Sequence, residues 1–135
     1  MTKEQLCQLG WLKTEIEDLS YRIRRIENAL AGKTLRIDGM SWLGNSRHFS
    51  EELAPQLCDL KEKLEEKKRI AVAEYMKIQA FIADIEESYI RLIFTMRYLD
   101  GLSWHQVAWR IGGNTADSVR MMHNRYLARL PKEDQ

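Results

Sequence analysis

Apolar positions near the start of the chain fall on a single helical stripe. Leu9, Leu12, Ile16, Leu19, Ile23, Ile26 and Leu30 follow one another at alternating steps of three and four residues. A repeat of about 3.5 residues keeps one stripe of a helix turned toward a partner helix, so this spacing predicts a coiled-coil seam. The positions between carry Lys13, Glu15, Glu17, Asp18, Arg22, Arg24, Arg25 and Glu27, a mixed-charge solvent face. Thr2 is placed to cap the helix and Gly32 to end it.

A second seam begins near Ser50 and runs through Leu53, Leu57, Leu60, Leu64, Ala71, Tyr75, Ile78, Ile82 and Ile85, lapsing once at Lys67-Lys68-Arg69. Pro55 is expected close enough to the start to be tolerated, because first-turn amides have no intrahelical acceptor. The charge run Glu62–Arg69 reads as solvated helix surface, with Glu65 and Arg69 as an i,i+4 pair. Two seams joined by a loop predict an antiparallel hairpin, although pairing between two chains uses the same pattern. The loop, residues 32–50, carries three glycines, and Lys33, Arg36 and Arg47 against Asp38. With Trp42 and Phe49 it has the makings of a contact to a nucleic-acid backbone or a protein. A tip whose apolar residues fold back on the coil is the plainer reading.

From Asp84 onward one long seam gives way to three short helices with sharp punctuation. Asp84 and Glu87 have the spacing of a capping box for a helix Ile85–Leu99, which Asp100-Gly101 stops. Ser103 caps a second helix, Trp104–Ile111, with Val107, Ala108 and Ile111 on one side. Gly112-Gly113 form a tight turn, and Asn114 or Thr115 caps a last helix that runs to about Leu130 before Pro131. Its inward positions are Val119, His123, Tyr126 or Leu127, and Leu130. The opposite face carries Thr115, Asp117, Ser118, Arg120, Met121, Asn124 and Arg125. Two short helices across a glycine turn, the second amphipathic and basic, are the signature of a DNA-binding helix-turn-helix. The expected fold is thus all-α: a coiled-coil hairpin over 1–83 and a three-helix helix-turn-helix over 84–135.

Composition changes this picture only locally. The 135-residue chain has net charge +1, which says nothing about partners. Between Leu102 and Lys132, however, Arg110, Arg120, Arg125, Arg129 and Lys132 face the single acid Asp117. That concentration supplies the positive field that displaces counterions from phosphates. Arg and Asn also read guanine and adenine edges bidentately, so Arg120 and Asn124 are expected on bases, with Ser118 and Arg125 nearer the backbone and Arg129 as a further DNA-binding residue. A single reading helix buries little surface, and the coil is a ready device for holding two readers as a homodimer.

The stretch from Ile93 to Ala108, with its Arg97-Tyr98 pair, Gly101, Ser103-Trp104 and Ala108, resembles the DNA-binding region four of bacterial sigma factors. With Gly112–Arg120 and the coiled-coil front, the chain resembles phage regulators of the RinA/ArpU type. The resemblance covers the C-terminal ~50 residues, the span of one compact unit; over the front it rests on architecture alone. It implies control of late genes in phages of Gram-positive bacteria, with RNA polymerase as a further partner. Nothing resembles the sigma domain that melts and reads the −10 element, so the chain is not expected to initiate transcription by itself.

Other chemistry is poorly supported. Cys7 and Cys58 are far apart, which fits a reduced cytoplasmic chain, and no apolar run approaches a membrane span; the resemblance implies a bacterial host cell. His48 and His105 belong to no metal-spaced cluster, and His123 is expected as a packed core residue. Trp104 and Trp109 are expected as packing and interface residues. No phosphate loop, nucleophile elbow or His-Glu motif stands out, so neither an enzyme nor a cofactor is expected. Two further readings remain: a DNA-packaging initiator resembling a small terminase subunit, and a coiled-coil module that binds host machinery, in which the basic helix is vestigial.

Overall fold

The computed structural model describes residues 1–32 and 46–131, with side chains in the second stretch from 51 onward. The described residues form five α-helices and no strand, an all-α protein. α1 spans Lys3–Leu30, α2 Ser46–Ala83, α3 Ser88–Phe94, α4 Trp104–Ile111 and α5 Ala116–Arg129; α3 runs on into a π-helical turn, Thr95–Leu99. None of these helices is long and apolar enough to cross a membrane.

α1 is capped at Thr2, whose Oγ1 accepts the Gln5 N–H at 3.1 Å while Gln5 Oε1 accepts the Thr2 N–H at 2.8 Å. Gly32 follows its end with φ +77°. α2 begins at Ser46, earlier than the second seam, so the loop does not extend to residue 50. Pro55 therefore lies well inside the helix rather than in its first turn, where it forgoes one backbone hydrogen bond. Lys33, Arg36, Asp38 and Trp42 lie outside the described residues, as do Lys132 and the side chains of Arg47, His48 and Phe49.

The chain divides into two compact units: one built from Met1–Leu12 and the chain from Ala71 onward, the other from Lys13 to Ile70. Within the second, Lys61 pairs with Glu27 (3.5 Å) and Lys67 with Glu15 (2.9 Å). The partner number falls on one helix as it rises on the other, so α1 and α2 run antiparallel within one chain. The expected Glu65–Arg69 pair is absent: Arg69 pairs with Glu66, and Glu65 with Lys68. Ile23 is buried along this seam, while Leu57, Leu60 and Leu64 are only half-buried.

The first unit holds the main core. Leu6 and Leu9 of α1 and Ile78 and Ile82 of α2 join Ile90, Ile93, Phe94, Tyr98, Val107, Ala108 and Val119 in one buried cluster. The expected boundary between 83 and 84 consequently does not separate the units: α3–α5 need the ends of both long helices to enclose Phe94. Tyr75, expected in the seam, is exposed.

Helix α3 starts at Ser88, not Ile85, and Glu87 at its N-cap makes no side-chain cap, so the expected capping box does not form. Arg91 does the fastening instead, donating to the carbonyls of Ile85 (2.5 Å) and Glu86 (2.8 Å) and to Ser88 Oγ (2.7 Å). In the π-helical turn the Asp100 N–H reaches back to the Thr95 carbonyl, widening the exit before Gly101 at φ +71°.

Candidate nucleic-acid interface

The motif Arg97-Tyr98…Gly101…Ser103-Trp104 builds the support for α5. Arg97 donates to the Leu102 carbonyl at 3.0 Å, and its guanidinium lies 4.6 Å from the Trp104 ring centroid, a cation–π contact that clamps the turn onto α4. Ser103 Oγ accepts the Gln106 N–H (3.2 Å) and Gln106 Oε1 accepts the Ser103 N–H (2.9 Å), a reciprocal cap that fixes where α4 begins. Val107 and Ala108 face the core.

The turn to α5 is set by backbone conformation. Gly112 and Gly113 have φ of +77° and +71°, yet a Cβ at either position would meet no atom within 4 Å. Glycine is needed there for its dihedrals, not for space. Asn114 and Thr115 divide the capping between them. Thr115 Oγ1 accepts the Ser118 N–H at 3.1 Å, while the Asn114 amide donates to Tyr89 Oη (2.5 Å) and the Gly112 carbonyl (3.2 Å) and accepts from Ser118 Oγ (3.2 Å).

α5 packs against both α3 and α4. Val119 and His123 are fully buried on that face, with Tyr126, Leu127 and Leu130 half-buried beside them. His123 lies among Phe94 (4.9 Å between ring centroids), Trp104 (4.9 Å) and Tyr98 (5.5 Å), as a core histidine should. Its Nε2 meets the Tyr98 hydroxyl, and its Nδ1 lies 2.9 Å from Asn124 Oδ1. Burial pushes the imidazole down to about 4; the hydrogen bond to Asn124 opposes this, and the nearby charges of Lys3 and Arg97 reinforce it. The ring is neutral at pH 7. Burial likewise pushes the Tyr98 hydroxyl well above its usual range.

On the opposite face Asp117, Arg120, Met121, Asn124 and Arg125 are exposed together. Arg120 donates to Asp117 Oδ1 at 3.0 Å, but both side chains stay more than half exposed, and such a surface pair is worth little. Among the described residues Arg125 and Arg110 have no ion-pair partner. Three expected site residues are partly committed elsewhere. Thr115 is exposed but spends its hydroxyl on the cap, and Ser118 is half-buried against Asn114. Arg129 reaches Glu87 Oε1 at 3.4 Å and lies 5.6 Å from the Tyr126 ring centroid, bracing α5 against the start of α3.

No protein-family model, curated protein or solved structure matches the chain. Function is therefore read from the chemistry of the site.

One feature escaped the sequence reading. Lys3 belongs to α1, yet with Met1, Thr2 and Glu4 it lines a groove beside Asn124, Leu127 and Ala128, adding a cation at the edge of α5. Only the folded chain brings these residues together. Trp109 was expected to pack or to meet a partner; it is 85% exposed on α4 and, among the described residues, packs against nothing that explains it. Trp104 is half-buried, as expected for packing.

Proposed function

We propose that α5 is the reading helix of a double-stranded-DNA-binding transcription regulator. The observation that carries the reading is the two-sidedness of α5. Val119 and His123 anchor one side in the core, while Arg120, Met121, Asn124 and Arg125 stand exposed on the other. A helix held this way can enter a major groove with side chains able to reach base edges and phosphates. Arg110, Arg129 and Lys3 lie on the same unit as further cations. The reading takes the partner as duplex DNA and the working form as a homodimer with two half-sites. The resemblance to phage late-gene regulators supplies the biological setting, with RNA polymerase as a further partner, in a bacterial cytoplasm.

The test is selection of bound duplexes from a random pool, with footprinting of the winners. A conserved motif protected over one or two turns supports the reading, and Arg120→Ala should relax preference at one position of it. A pool that emerges unenriched contradicts the reading. Trp109, the most exposed large aromatic among the described residues, favours a second reading as a protein-interaction module. In that case Trp109→Ala abolishes partner capture while Arg120 and Arg125 can be neutralised without effect.

A further inference from the structure

We propose that Tyr98 and His123 form a buried positioning relay that holds the Asn124 side-chain amide in the one orientation that reads adenine. The inference rests on the DNA-binding reading of α5 and deepens it.

The chain of hydrogen bonds has a direction. Among the described residues the buried Tyr98 hydroxyl has one hydrogen-bond partner, His123 Nε2, so its proton points there. A neutral imidazole that accepts at Nε2 carries its own proton on Nδ1. That Nδ1–H needs an acceptor, and it faces Asn124 Oδ1 at 2.9 Å. The reverse arrangement, with Nε2–H donating to the phenol, leaves the buried tyrosine proton with no hydrogen-bond acceptor among the described residues, which is costly. The direction of the relay therefore decides which end of the Asn124 amide is held by the core and which is free.

The free end has the chemistry of a base reader. Asn124 is exposed, keeps both Nδ2 protons, and has a second lone pair on Oδ1. Adenine presents an N7 acceptor and an N6 donor in the major groove, the complement of that donor and acceptor pair. An unheld amide flips between two orientations, only one of which matches. Anchoring Oδ1 through His123 removes that freedom before binding, so less ordering is lost when the complex forms. Tyr98 and His123 never touch DNA in this account. They are positioning residues acting through Asn124.

Two experiments on the full-length chain test the relay. A long-range proton–nitrogen NMR spectrum of the free protein should show His123 protonated at Nδ1; protonation at Nε2 overturns the relay without touching the DNA reading. Selection from a random duplex pool should give the wild type a motif with an adenine column. Asn124→Ala should lose that preference by on the order of tenfold. Tyr98→Phe, which keeps the ring and removes only the hydroxyl, should weaken the same column alone. Other columns and the salt dependence should be unchanged. His123→Phe should do the same, with circular dichroism confirming that each variant is folded. A folded Tyr98→Phe with an unaltered motif, or a wild-type motif lacking the adenine column, overturns the relay while leaving DNA binding intact. A wild type that binds no duplex overturns both.

Discussion

The Lys13–Ile70 hairpin and the unit around Phe94 use the same kinds of apolar residue but bury them to different depths. In the hairpin two helices can offer each other only one stripe, and solvent reaches both flanks. Leu57, Leu60 and Leu64 stay half-buried there. In the other unit α3, α4 and α5, with the ends of α1 and α2, close around a centre in which Ile93, Phe94, Val107 and Val119 have no exposure. The closed core lies in the unit that holds α5. The reading role proposed for α5 draws on that support, because side chains that meet base edges must be held by packing beneath them.

The largest expected effect separates the two units by substitution. Phe94→Ala should cost about 3–5 kcal/mol, as a large ring lost from a closed core does, whereas Leu60→Ala in the hairpin should cost roughly 1–2 kcal/mol. Urea denaturation of the two variants measures both. Equal costs would break the comparison and show that the hairpin seam is sealed by something further.

A second contrast comes from pH. His123 is held at about 4 by its burial, below the usual 6.5. The unfolded chain therefore takes up the proton first: this contribution to stability is complete above about pH 6.5 and is lost as pH falls toward 4. The loss should be about 2 kcal/mol after allowance for solvent screening. Melting temperature followed from pH 7 to pH 4 should fall by less in His123→Phe than in the wild type.

The smallest effects are local. Ser103→Ala should cost about 1 kcal/mol through loss of the α4 cap. Glu15→Gln, which removes the exposed partner of Lys67 in the hairpin, should cost under about 1 kcal/mol and lose even that in high salt. A Glu15 effect larger than the Ser103 effect would reverse the order drawn here.

How much of this was legible in the chain follows from how local each cause is. Both seams and the caps at Thr2, Ser103 and Thr115 are set by neighbours three or four residues away, so spacing reveals them. The glycine turn at Gly112-Gly113 is equally local, since positive φ is a property of one residue. The π-helical turn, the Arg91 clamp and the later start of α3 were not legible, because a guanidinium that binds backbone carbonyls leaves no residue pattern of its own. The exposed face of α5 was readable from its period, but its commitments were not. Tyr98 meets His123 across 25 positions and Arg129 meets Glu87 across 42. Lys3 comes beside Asn124 only when the chain start packs with the last helix.

Whether the cationic face of α5 binds duplex DNA by neutralising phosphates is decided by affinity against salt concentration for the wild type and Arg125→Gln. Arg125 is exposed, without an ion-pair partner among the described residues, and outside the core. Tight binding at low salt, a steep linear fall of log affinity with log salt, and a slope shallower by about one in the variant are expected. Absence of duplex binding, or an affinity indifferent to salt, would contradict that role for α5.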